Sequence, residues 1–338
     1  MADPNIDKPV DIKTLRKLLQ EGLLSEEAFL EASKIIRPIS NWFAWAKKTL
    51  LLVGCGLVLS GVIFFFAFNW AAMGKFFKFF LIEFGIIVCL IFSYIKDNKS
   101  LTSKILLLSA SVFVGVLLAV YGQTYQTGAD AFGLFIGWAG LIFGFVLVSE
   151  FAALWLIWLI LLNTGLILYW QQVGQFSFSL SYEYLCLSLA ILNGIALTLR
   201  EIGLQKGLIW LEGKWLRSVL LITILVNLSI PTIDEIVDIG YRQEVSSLLS
   251  LAWIAAIGGS FYFYRYKLRD MISIATIVMN VCVILLVFIG KIMFSNNYWE
   301  GGIFLSYSII IVGVITGAVF LLKFIARSME NEEKEVPK

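Results

Sequence analysis

The chain contains no histidine, which removes the commonest general base near neutral pH and the commonest zinc ligand. Proline is scarce too: the five present are Pro4, Pro9, Pro38, Pro231 and Pro337, and none breaks the middle of a long apolar run. Asp, Glu, Lys and Arg make up only 15% of the 338 residues. No basic face or aromatic-basic motif is present, which excludes a nucleic-acid partner. The four cysteines, Cys55, Cys89, Cys186 and Cys282, stand singly inside apolar runs. Without CxxC spacing, neither a disulfide framework nor a zinc site is expected. There is no GxSxG, no phosphate-cradling glycine loop and no pair of carboxylates within one apolar run. No enzymatic activity, cofactor or metal is therefore expected. The first 48 residues lack an apolar h-region, so no cleavable signal peptide is expected.

What is abundant is apolar. Hydrophobic residues make up 59% of the chain, with a mean hydropathy of +0.88, outside the range of soluble globular proteins. Ten runs approach the roughly 20 residues that cross about 30 Å of hydrocarbon: 49–68, 76–95, 101–121, 131–148, 151–170, 182–199, 216–231, 245–264, 271–290 and 302–325. The fold class is all-α, a polytopic transmembrane bundle. With a cytoplasmic N-terminus and ten crossings, all of the 26 Lys and Arg residues except Lys75, Lys78, Arg242 and Lys291 fall on the inner side. The positive-inside rule then places both termini in the cytoplasm.

Three regions are expected: a cytoplasmic helical hairpin over 1–48, the bundle over 49–326, and a disordered cytoplasmic tail over 327–338. In the hairpin, Leu15, Leu18, Leu19 and Leu23 form one apolar stripe, and Gly22 is placed to end that helix. Ser25 is the expected N-cap of the second helix, with Glu26 and Glu27 in its first turn and Pro38 beyond its end. Such a hairpin packs on itself or recruits a cytoplasmic protein partner. Gly133, Gly137, Gly140 and Gly144 give the fourth span a stripe of small residues, which predicts a central position against another helix of this chain or of a second copy.

The densest polar cluster between two apolar runs is Tyr121 to Asp130, YGQTYQTGAD. If the third helix continues through it, Gln123, Gln126 or Thr127, and Asp130 share one side, with Tyr121 and Tyr125 adjacent at i and i+4. Gly128 is then the expected helix end. Amide and phenol groups without a basic residue suit a neutral polar ligand, or a cation at Asp130, or simply a well hydrogen-bonded loop. Glu83 is the one carboxylate well inside an expected span. It reads as a proton or cation site, or as the partner of Lys75 or Lys78. Asn163, Asn193, Asn227 and Asn280, one per span, read as helix-bridging amides. Asp234, Glu235 and Asp238 read as a solvated outer loop.

FFAFNW at Phe65 to Trp70, Lys78, and then YGQTYQTGAD with Trp138 together resemble the bacterial membrane-protein family catalogued as domain of unknown function 2157. GLLSEEAF about 25 residues before the first span matches the same layout, and the likeness covers roughly residues 10 to 150. It implies a bacterial inner-membrane location without implying an activity, and it points to Asn69, Trp70, Lys78, Gly122, Gln123, Tyr125, Gln126 and Trp138. A proline expected shortly after Trp138 is absent. The combined expectation is a non-enzymatic inner-membrane protein, transporter-like or binding a small molecule or lipid. Its outer-facing cavity would involve Asn69, Trp70, Lys78, Glu83, Tyr121, Gln123, Tyr125, Gln126, Asp130 and Trp138. The alternative is a membrane scaffold or envelope-assembly component that recruits a partner through its N-terminal helices. Membrane lipids, and a second copy meeting at Gly133, Gly137, Gly140 and Gly144, complete the expected partners.

Overall fold

The computed structural model describes residues 15, 18–19, 21–36, 40–69, 73–97, 100–126, 128, 130–237, 244–295 and 301–335. Among them are eleven helices and no strand, and ten of the helices are long and apolar enough to cross a membrane. The chain divides into two units, 1–78 and 79–338.

In the first unit, Gly22 adopts φ +71°. Its N–H donates to Leu19 O and that of Leu23 to Leu18 O, the paired bonds of a glycine-terminated helix end. Ser25 then caps α1 (Glu26–Ile36), its Oγ accepting from the Ala28 N–H at 3.2 Å. The rest of the first expected helix, and Pro38, lie outside the described residues. Helix α2 (Ser40–Asn69) begins nine residues before the expected span at 49 and takes in Trp42 and Trp45.

The second unit contains most of α3 (Lys75–Ile95), then α4 (Leu101–Tyr125), α5 (Ala131–Ser149), α6 (Ala152–Tyr169), α7 (Tyr182–Gln205), α8 (Lys214–Val237), α9 (Glu244–Tyr262), α10 (Met271–Phe294) and α11 (Gly301–Glu335). Helices α6 and α9 each end in a π-helical turn, Trp170–Gly174 and Phe263–Lys267. Helix α5 ends at Ser149 without the expected proline. Glu150 takes a left-handed conformation there, and its carbonyl accepts a 2.8 Å bond from Lys104 Nζ.

Helix α8 packs on α7, α9 and α10, and its face Leu221, Leu225 meets Ile274 and Ile277 in one buried cluster. It is the most buried span of the ten. The expected centrality of the fourth span is therefore corrected. In α5, Ala139, Ile142 and Val146 are buried against α4 and α6, whereas Gly133, Gly137, Gly140 and Gly144 face away, with no atom within 4 Å of an added Cβ. The expected end of the seventh span at Pro231 is corrected as well, because α8 runs on to Val237 with Pro231 buried inside it. Proline removes one backbone donor, that to Asn227 O, and packing on three helices holds the remainder. The disordered tail expected from 327 is instead helical to Glu335, anchored by Arg265, which binds Glu332 and Ser328.

Candidate functional site

The expected site residues fall in both units. Asn69 ends α2 and Lys78 is buried near the start of α3, while Trp70 lies outside the described residues. In the second unit, Tyr121 and Tyr125 do meet, with ring centroids 4.9 Å apart, and both pack on Phe79 of α3. The helix does not continue to Asp130. It stops at Tyr125, with Gln126 in the left-handed conformation at φ 43°, its N–H bonded to Gly122 O. Thr127 lies outside the described residues. Asp130 starts α5 without capping it through its side chain, and an N-terminal donor there, Phe132 N–H, is taken by Gln172 at 3.3 Å. Glu83, Gln123, Gln126 and Asp130 are exposed.

Trp138 is a packing residue. Its indole Nε1–H donates to Ser111 O at 2.8 Å, and its ring lies against Gly115, where an added Cβ would sit 2.3 Å from a ring atom. Three of the four amides bridge helices, as expected. Asn163 and Asn193 bond each other across α6 and α7, and Asn280 bonds Ser229 and Trp253. Asn227 bonds Thr223 O in its own helix. Asp234 and Glu235 lie within α8 rather than in a solvated loop. Tyr182 donates to Asp234 at 2.6 Å, and Ser247 and Ser250 donate to Glu235. Asp238 lies outside the described residues.

A stronger concentration of charge lies where α7 ends and α8 begins. Arg200 is only 1% exposed. Its guanidinium reaches Glu201 at 2.6 Å and the carbonyls of Leu211 and Gly213 at 2.8 and 3.0 Å, so it both fixes the connecting segment and neutralises its neighbour. Arg217 takes Glu201 in a two-pronged grip at 2.9 and 3.1 Å and reaches Asp270 at 3.1 Å. Its cation lies 5.5 Å from the centre of the Tyr264 ring. Two guanidiniums and two carboxylates form a neutral cluster, the arrangement that makes buried charge tolerable. Asp270 lies just before α10. Burial works against its ionisation, but the 2.6 Å bond from Ser273 and the Arg217 guanidinium outweigh burial and hold its pKa below the ordinary carboxylate value.

Beside this cluster is a cavity of ≈ 360 Å³ between α7 and α9, walled by Leu197, Ile202, Phe263 and Tyr264, with Glu201, Gln205, Thr198 and Ser260 as its polar groups. A second cavity of ≈ 300 Å³ lies between α8, α9 and α10 around Trp253 and Phe288. Neither is lined by residues of Tyr121 to Asp130. The first can hold an amphipathic molecule, with apolar walls for its body and hydroxyl, amide and carboxylate groups for its head. Sequence reasoning missed it because Arg200 and Arg217 counted there only as inner-side charges. The adjacent Arg200–Glu201 pair at a span end was the available signal.

No curated protein and no solved structure matches the chain. A family match does exist and stops at residue 155, before α7, so the charged cluster and both cavities lie beyond it. Residues 16–155, from the N-terminal helices into α6, match the family described as "Predicted membrane protein (DUF2157)".

Proposed function

We propose that this protein is a non-enzymatic, multi-pass protein of the bacterial inner membrane that binds a small amphipathic molecule in the cavity between α7 and α9. The observation that carries the reading is the ≈ 360 Å³ cavity with Glu201 on its wall, held in place by two buried arginines. The lysine and arginine distribution supports cytoplasmic termini, which puts the cavity at the cytoplasmic ends of α7 and α9. This reading is preferred to the outer-facing cavity suggested by Tyr121 to Asp130, because those residues line neither cavity. A second reading, recruitment of a cytoplasmic partner, draws support from Leu23 and Leu30, which are exposed near and on α1.

The test is a thermal-shift screen of the purified protein against lipids and metabolites, run beside Gly259→Leu. Gly259 lines the cavity and has no atom within 4 Å of an added Cβ, so leucine there occupies part of the cavity without crowding at its Cβ. A bound molecule at a hundred times its dissociation constant stabilises by about 2.7 kcal/mol. Compounds that stabilise the wild type and not Gly259→Leu support the reading, and identical responses from both proteins defeat it.

A further inference from the structure

We infer that the groove between α7 and α9 is a site for an anionic glycerophospholipid, with an acyl chain in the cavity and the phosphate at Lys206 and Lys267. This rests on the reading above that the cavity is occupied. The cavity opens between two membrane-spanning helices, and its body is walled by Leu197, Ile202, Phe263 and the Tyr264 ring. Those apolar walls suit a hydrocarbon chain, while Thr198, Glu201, Gln205 and Ser260 leave part of the lining polar.

The charge that would read a headgroup lies at the ends of these two walls, Lys206 at the C-cap of α7 and Lys267 at the last residue of the π-helical turn after α9. Lys206 follows Ile202 by four residues and Lys267 follows Phe263 by four, so both continue the walls toward the same membrane face. Both are exposed, and no carboxylate pairs with either among the described residues. Tyr262 and Tyr266, also exposed, lie with ring centroids 5.4 Å apart at this level, and such paired phenols mark the headgroup layer. Glu201 does not repel a phosphate here, because Arg200 and Arg217 already neutralise it. Two ammonium groups without carboxylates, at the ends of a largely apolar groove, favour a net-negative headgroup over a zwitterionic one.

Native mass spectrometry of the full chain in detergent micelles tests this, with phosphatidylglycerol and phosphatidylcholine of identical acyl chains as probes. The wild type should retain phosphatidylglycerol preferentially. Lys206→Gln and Lys267→Gln should each reduce that preference about five-fold, and about twenty-five-fold together, while Gly259→Leu should lose the bound lipid of either kind. Equal retention of the two lipids by the wild type, or an unchanged preference in the double lysine variant, overturns the anionic assignment and leaves occupancy of the cavity standing. Displacement of phosphatidylglycerol by glycerol phosphate at comparable concentration overturns it in favour of a soluble phosphate ester. Undiminished lipid binding by Gly259→Leu overturns both the assignment and the cavity reading beneath it.

Discussion

Gly115 shows how one atom decides a helix contact. Trp138 occupies the space that a Cβ at position 115 would need, at 2.3 Å, and the indole is also held by its bond to Ser111 O. Gly115→Ala should destabilise the protein by about 1 to 3 kcal/mol, the usual range for overpacking, measurable as a lower midpoint of thermal unfolding in detergent. Arg217 poses the opposite problem, since removing it takes the guanidinium from the buried Asp270 and leaves Glu201 with Arg200 alone. Arg217→Gln should cost about 3 to 5 kcal/mol, the range for breaking a buried ion pair.

Asp270 adds a pH signature. Its folded-state pKa lies below the ordinary 3.8, so its contribution to stability is fully present above that value and lost as pH falls through the lower folded value. Acid titration of stability should show that loss in the wild type, and Asp270→Asn should be less stable at pH 7 with a shallower acid limb. Sequence patterning flagged Tyr121 and Tyr125, which do pack closely, because aromatic residues at helical spacing act locally. It could not show that Arg217 reaches Asp270, which is 53 residues away at the start of another helix.

Among the helices, hydropathy revealed where ten spans lie but not which is central. An uninterrupted glycine stripe suggested α5, yet the stripe faces away from α4 and α6. The central span is α8, whose Arg217, Leu221, Leu225 and Ser229 follow one another at i+4 and pass from the charged cluster through the apolar core to Asn280. Replacing Gly137 and Gly140 together by leucine should leave the unfolding midpoint of the isolated chain unchanged, since nothing lies within 4 Å of either added Cβ. Helix α11 outlasts its apolar run because Glu332 and Ser328 meet Arg265. Truncation after residue 327 should lower the unfolding midpoint and expose Arg265 to proteolysis near Tyr266. A tail rich in Glu and Lys reads as disordered when its partner on α9 is not visible in the sequence.

At the scale of the whole molecule, composition determined the class, because a mean hydropathy of +0.88 permits only a membrane solution in which every backbone polar group is satisfied within helices. The site was less legible. A cavity depends on which helix faces meet, and the sequence marked polar residues, not the space beside Glu201. The proposed place of binding is that cavity. Its most direct test is mass spectrometry of the lipids and small molecules that co-purify with the wild type, with Gly259→Leu and with Gln123→Ala/Gln126→Ala. The account predicts a species carried by the wild type and by the double glutamine variant but absent from Gly259→Leu. A species lost from the glutamine variant and retained by Gly259→Leu would contradict it and return the site to Tyr121 through Asp130.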